Sequence, residues 1–401
     1  MNSKNYNHWI DLIHEFGNDF ESRAEKSDRN EIFVSENYIA LKEHGFLSAS
    51  IPEELGGAGV PHSVMCDILR TIAQYCGSTA LALSMHQHLL AATIWKYKQG
   101  QGGEAMLKKV ADNQLVLVST GARDWLESNG EMKKTDNGYL VNAVKHFASQ
   151  SSIGDVLVTS APFYDNELGW QVLHFPVPFK TEGVKVLDNW STLGMRGTGS
   201  QSVELNSVFV PESSITLKRP KGEFHPFWNV VLTVAMPLII SVYVGLAQKA
   251  AKIAINSVNN QMKHKSYIPA LVGAMHNELT NAELNLKDMI RITNDYDFKA
   301  VDQNGQDILV RKTNTANACI SVVEKAMEIV GGKGFYRGFG LERIFRDMQA
   351  VHYHPLPEKE QQQFTGEFIL KNEIKKSSPV IKNDSENNSA KEIQRPVELL
   401  S

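Results

Sequence analysis

Apolar positions recur at helical spacing over roughly the first 113 residues, switch to alternation near Leu115, and return to helical spacing after Phe224. Asp28 and Glu31 stand at capping-box spacing before the apolar stripe Ile32, Phe33, Ile39 and Leu41, which predicts a helix start there. Pro52 to Gly59, with its Gly-Gly-Ala-Gly run, reads as a loop. Ser63 to Tyr75 reads as a helix that Gly77 closes, and Ser78 as the cap of the next, which runs to about Tyr97. Leu81, Leu83, Leu89, Leu90, Ala91 and Ile94 surround that helix almost completely, so it should be buried.

The alternating region contains six short β-branched runs: Leu115–Val118, Tyr139–Phe147, Asp155–Thr159, Gln171–Pro176, Val184–Leu187 and Ser202–Val210. Asp136-Asn137-Gly138 supplies a hairpin turn. Such spacing predicts a small sandwich or barrel, and the absence of GxGxxG after a strand argues against a dinucleotide-binding fold. Beyond it, long helices are expected over Val230–Asn260, with Pro237 near its start, His276–Tyr296 and Gln306–Val330, then a shorter one over Leu341–Gln349. The expected architecture is α+β in parts: an N-terminal helical domain (1–113), a central β domain (114–220) and a C-terminal four-helix bundle (221–370). Residues 371–401 hold no aromatic side chain and are rich in Lys, Asn, Glu and Ser, which predicts a mobile polar tail.

Composition narrows the partners. With 41 basic and 45 acidic residues in 401, the formal net charge is −4, giving no overall pull toward nucleic acid. Val230 to Ala247 approaches the roughly 20 apolar residues of a membrane span. It contains Thr233, Pro237 and Ser241 and stands alone, so a buried core helix is the expectation and no membrane association is. Met1 to Phe20 lacks the pattern of a secretory signal. Cys66, Cys76 and Cys319 are too scattered for a disulfide framework or a zinc site, so a reduced, cytoplasmic protein is expected. His86 and His88 are two apart on a helix and point to different sides, and His352 with His354 lacks a third ligand, so no metal site is expected.

Several segments carry a stronger signal. Leu193-Gly194-Met195-Arg196-Gly197-Thr198-Gly199-Ser200, followed by Val203-Glu204-Leu205 and Val208-Phe209-Val210-Pro211-Glu212, resembles the β-domain signature of the acyl-CoA dehydrogenase family. Gly245-Leu246-Ala247-Gln248, the Gly331-Gly332-Lys333-Gly334-Phe335 turn and the Arg346-Asp347 pair resemble its C-terminal motifs. Glu43-His44-Gly45-Phe46 and Ile51-Pro52-Glu53-Glu54-Leu55-Gly56-Gly57 match early in the chain. The resemblance runs in the family's order over about 40–350.

It implies a flavin, FAD or alternatively FMN or reduced flavin, held between the β domain and the C-terminal helices of a homotetramer or homodimer. Matching positions are Val118, Ser119 and Thr120 for the pyrimidine edge, and Phe147 and Ser149, with Ala148 between them, for the other side of the ring. Phe147 also reads simply as a core aromatic. Gly331, Gly332 and Gly334 read either as a helix cap or as a turn approaching a neighbouring subunit's cofactor diphosphate. The activity implied is α,β-dehydrogenation of an acyl-CoA, as in fatty acid metabolism, with an electron-transfer flavoprotein as partner.

The chain departs from the family where the chemistry is done. Pro355 and Ala235 occupy the two positions that carry the catalytic Glu in family members, and α-proton abstraction needs a base. Gln261 replaces a diphosphate-binding Arg, with Lys263, His264 and Lys265 close by, and Glu328 replaces a Gln. His354, between Tyr353 and Pro355, is then the first candidate for the catalytic group, as a neutral imidazole near its ordinary pKa, with Glu358 and Glu360 next. Flavin monooxygenases of this fold look similar in placing a His before a nearby Pro. They point to the alternative of reduced flavin from a reductase, O2 and a small hydrophobic substrate. A non-catalytic scaffold is the third reading.

Overall fold

The computed structural model describes residues 3–121, 124 and 127–377. Among the described residues five helices come first: α1 (Ser3–Asn30), α2 (Ser35–Glu43), α3 (His62–Ala73), α4 (Gly77–Lys98) and α5 (Glu104–Asn113). Eight strands follow: β1 (Leu117–Ser119), β2 (Glu131–Thr135), β3 (Gly138–Ala148), β4 (Val156–Asp165), β5 (Gly169–Pro178), β6 (Val184–Val186), β7 (Gln201–Pro211) and β8 (Leu217–Pro220). The chain then returns to helices: α6 (Phe227–Ser257), α7 (Tyr267–Thr293), α8 (Asp302–Val330), α9 (Leu341–Met348) and α10 (Glu358–Ser377).

The strands form two four-stranded sheets, ordered β1-β4-β5-β8 and β2-β3-β7-β6. Among the described residues, only the β1–β4 pair is parallel. Leu157, Leu173 and Phe175 of one sheet and Val141, Val203 and Val208 of the other are buried, and Tyr139 meets Phe163 edge-on at 5.2 Å. Two strands escape the alternation. In β2 only Met132 is buried, and β8 buries the charged Arg219 where the pattern demands an apolar residue.

Other boundaries differ for identifiable reasons. Asp28 lies inside α1, so the expected capping box at Asp28 and Glu31 does not form, and α2 starts after Val34 without a side-chain cap. Gly77 opens α4 instead of closing α3. The cap is Cys76, whose Sγ accepts from the Thr79 N–H at 3.5 Å and hydroxyl at 3.1 Å. α10 continues through Ser377, so 371–377 are helical and not tail; Lys and Glu are good helix formers. The rest of the expected tail, 378–401, lies outside the described residues.

α6 is the central column, packed against α3, α4, α7 and α8, with α10 laid on α8. It is long and apolar enough to cross a membrane by length and composition, but that window is entirely buried. Gly245 lets α3 approach: a Cβ there would lie 2.2 Å from the Arg70 carbonyl. Pro237 stands eleven residues in, not near the start. Its missing N–H leaves the Thr233 carbonyl without its helical donor. The Thr293 hydroxyl, at the end of α7, donates to that oxygen at 2.7 Å, and His62 Nε2 of α3 lies 2.7 Å from the Val234 oxygen.

Candidate functional site

The site is built from the end of β1 upward. His86 of α4 accepts the Leu117 N–H on Nδ1 at 3.0 Å, so its Nε2 carries the proton and donates to the Leu47 carbonyl at 2.7 Å. Burial holds this imidazole neutral, its pKa pushed down to about 4. Gln150 donates to the Leu117 carbonyl at 2.9 Å and accepts from the Tyr38 hydroxyl. Val118 is wholly buried, its side chain lying beside Gly154, so only its backbone is left to meet a ligand. Ser119 is nearly buried, and the Thr120 hydroxyl donates to Asp124.

Asp124 is itself anchored. Lys145, 1% exposed, reaches it at 3.0 Å and also bonds Asn129 Oδ1 at 2.7 Å and the Asn129 carbonyl at 3.0 Å. The Thr159 hydroxyl adds a bond to Asp124 at 3.3 Å, and Arg219 Nη2 donates to its backbone carbonyl at 2.9 Å. Burial lowers the Lys145 pKa and the Asp124 charge opposes that.

Phe147 is no core aromatic. The β3–β7 register shifts between Lys145 and Ala148, and Phe147 takes a left-handed backbone (φ 57°) that turns its ring outward, 60% exposed, edge-on to Trp190 at 5.9 Å. A bulge that re-aims a side chain is typical beside functional sites. Ser149 is buried in a hydroxyl chain: Ser149 to Ser200 at 2.7 Å, Ser200 to Thr198 at 2.8 Å, and Thr198 to the Met195 carbonyl at 2.8 Å. Since Thr198 donates to the carbonyl, Ser200 must donate to Thr198 and Ser149 to Ser200, which leaves Ser149 only lone pairs to offer.

The loop carrying Thr198 is tied to α9. Asp347 takes the Met195 N–H, and Arg346 reaches the Leu193 carbonyl at 3.1 Å and Asp28 of α1 at 2.7 Å. Gly194 is required there, since a Cβ would lie 2.3 Å from the Arg346 carbonyl.

The helical side presents a second cluster. His354 Nε2 meets the Tyr243 hydroxyl of α6 at 2.6 Å. Lys312 of α8, 2% exposed, donates to the Leu356 carbonyl at 2.8 Å. Burial, then the Lys312 charge, then His88 push the His354 pKa down to about 3 instead of leaving it near its ordinary value. Burial pushes Lys312 down to about 8 against the pull of Glu358, and His88 of α4 down to about 4. Glu358 and Glu360 stand in the first turn of α10, not on a loop. Glu358 bonds Lys359 at 3.2 Å and accepts from Gln362 at 2.8 Å, and Asn317 also supplies it a hydrogen bond. Sequence reasoning missed Tyr243 and Lys312. The signal for Lys312 exists: it sits three and four residues after Leu309 and Ile308, on the apolar face of α8.

Gly331 ends α8 with its N–H bonded to the Met327 carbonyl, at positive φ (68°) but with ψ −155°, so the left-handed helical cap expected of it does not form and only glycine's freedom at positive φ is used. Gly334 is buried against Val330, Leu341 and Met327, whereas a side chain at Gly332 would meet nothing within 4 Å. Glu328, Gln261, Lys263, His264 and Lys265 are all exposed. The turn packs on α8 and α9, while Thr120, Phe147 and Ser149 belong to the β region.

These residues fit an isoalloxazine ring. An outward-facing aromatic lies beside a strand end whose hydroxyls are hydrogen-bonded within the fold.

The family model "Acyl-CoA dehydrogenase, N-terminal domain" matches residues 7–114 and "Acyl-CoA dehydrogenase, C-terminal domain" matches 239–357. The chain is 26% identical over 365 residues to a putative acyl-CoA dehydrogenase, YdbM, of Bacillus subtilis (strain 168), covering 86% of this chain and 92% of the relative. It is 25% identical over 371 residues to the amino sugar nitrososynthase DnmZ of Streptomyces peucetius, covering 86% and 89%. The FMN-bound structure of TdsC, a dibenzothiophene monooxygenase from Paenibacillus sp. A11-2, superposes with a TM-score of 0.79 at 19% identity, covering 91% of this chain and 98% of that one.

Proposed function

The chain belongs to the acyl-CoA dehydrogenase family, and from that premise we propose that it is a flavin-dependent monooxygenase acting on a small hydrophobic substrate. The observation that carries this reading is the chemistry around His354. The groups that converge there are an imidazole, a phenol and an ammonium, and the neighbouring acid, Glu358, is committed to Lys359, Gln362 and Asn317. An imidazole with a pKa of about 3 is a poor acceptor for the α-proton of a thioester.

A reduced flavin held there would supply the two electrons needed to split dioxygen, one oxygen atom entering the substrate and the other leaving as water with two protons. Phe147 would give the ring an apolar wall and the end of β1 would meet its polar edge, while Tyr243 fixes the orientation of His354. The FMN bound by TdsC supports FMN as the flavin here. A separate reductase would deliver it reduced, since the chain carries no dinucleotide-binding motif. The reading includes a homo-oligomer. Phe335 and Tyr336, 81% and 74% exposed beside Gly332, are large apolar side chains in want of cover.

A second reading, FAD-dependent dehydrogenation of an acyl-CoA with an electron-transfer flavoprotein as acceptor, is favoured by the likeness to YdbM. One experiment separates them. The protein loaded with oxidised FMN or FAD is mixed without oxygen with straight, branched and aromatic acyl-CoA thioesters while its visible absorbance is followed. The monooxygenase reading expects no bleaching; bleaching by any thioester assigns the chain to the dehydrogenases.

A further inference from the structure

The Tyr243 hydroxyl is fully buried on α6, and His354 Nε2 is its hydrogen-bond partner. Burial, with the Asp347 charge nearby, raises the phenol's pKa far above its ordinary value, so it keeps its proton. A buried phenolic O–H must be donated, because leaving it unmet costs about 1–3 kcal/mol. The acceptor is therefore His354 Nε2. A neutral imidazole that accepts on one nitrogen carries its proton on the other.

On the far side of the same short segment, Lys312 enters from α8 and donates to the carbonyl of Leu356, two residues after His354. The imidazole is thus held from two helices, by a donor on its ring and by a donor on the backbone just beyond it. The charged or titratable groups acting on this assembly are His88 and Lys312 toward the imidazole, Glu358 toward Lys312, and Asp347 toward Tyr243.

We propose that Lys312 is a positioning residue. By gripping the Leu356 carbonyl while Tyr243 grips the ring, it keeps His354 uncharged, in the tautomer whose Nδ1 bears the proton, so that the site offers its ligand a hydrogen-bond donor and not a base. This rests on the flavin site proposed above, and it specifies the ligand: the atom that meets His354 is an acceptor, such as a carbonyl, sulfinyl or alkoxide oxygen. A substrate that presents only a donor at that point is disfavoured, because two N–H groups would then face each other.

The test does not use turnover, so it stands or falls separately from the reaction. The full chain is labelled with 15N-histidine and its imidazole nitrogens are observed by NMR, the His354 signals being assigned by their loss in His354→Gln. Wild-type His354 should show a protonated Nδ1 and an unprotonated Nε2, with no titration between about pH 5 and 9. Tyr243→Phe should convert it to a mixture of tautomers. Lys312→Met should raise its titration midpoint by about one unit or more, as removal of a nearby like charge requires, whereas Lys312→Arg, which keeps charge and donor, should restore wild-type behaviour. Circular dichroism identifies a Lys312→Met that does not fold, and the Arg variant with the wild type then decides. A wild-type Nε2–H tautomer, a His354 protonated at neutral pH, a folded Lys312→Met with wild-type titration, or a folded Lys312→Arg without it would each overturn the proposal.

Discussion

Asp347 Oδ1 accepts the backbone N–H of Met195 at 2.5 Å, joining α9 to the loop before β7 across 152 positions of sequence. The carboxyl is 4% exposed, and burial raises its pKa to about 6, against the bond from Met195 and the charge of Arg343. A carboxyl whose folded pKa lies above its unfolded value near 3.8 stabilises the fold most at low pH. That contribution is lost as pH rises through about 6, and a shift of this size corresponds to roughly 3 kcal/mol. Asp347→Asn retains an acceptor for Met195 and cannot ionise. Thermal melts between pH 4 and 8 should therefore show wild type losing ground to the variant as pH rises; parallel curves would contradict this.

His354→Ala should lower oxygen-dependent turnover by about 10²–10³-fold, as loss of a positioned hydrogen-bond donor does, while leaving the fold and flavin binding intact. Because its pKa is held near 3, the wild-type rate should show no inflection from this group around pH 6.5. An acid limb near 6.5 that disappears in the variant would mean that His354 does titrate during catalysis.

Phe147→Ala should weaken FMN without destabilising the protein, since the ring is 60% exposed in a strained backbone and packs edge-on against Trp190. An aromatic contact contributes about 0.5–1.5 kcal/mol, hence roughly a two- to tenfold rise in Kd. Fluorescence titration of FMN gives the affinity and urea unfolding the stability. An unchanged Kd with lost stability would return Phe147 to a purely structural role.

Thr293→Val preserves the shape of the α7 end but removes the donor to the Thr233 carbonyl beneath Pro237. An orphaned buried carbonyl costs about 1–3 kcal/mol. The urea midpoint should fall with unchanged m-value; a midpoint equal to wild type would show that another donor serves that oxygen.

Much of the fold was legible because period is set by apolar burial. The three long helices and the six expected strands all overlap observed elements. What escaped was structure stabilised by polar groups. β8 turns Arg219 inward because Asp124 and His174 receive its donors, and no alternation rule anticipates a buried guanidinium. Pro237 was expected near a helix start because its cost is local, whereas the compensation comes from Thr293, 56 positions away. At the candidate site, motif spacing pointed to Phe147 and His354. It could not reveal Tyr243, which hides in a uniformly apolar helix, nor that Lys312 would be drawn to a backbone carbonyl instead of to water.

The Lys145–Asp124 network has a kinetic consequence. Asp124 is fixed by Lys145 of β3, Thr159 of β4 and Thr120 just past β1, and its backbone by Arg219 of β8. The edge that would meet a flavin is thereby ordered during folding, so little conformational entropy remains to be lost when a cofactor arrives. A flavin meeting that edge would then bind and leave at rates set by diffusion and contact strength, with Asp124 and its partners already in place.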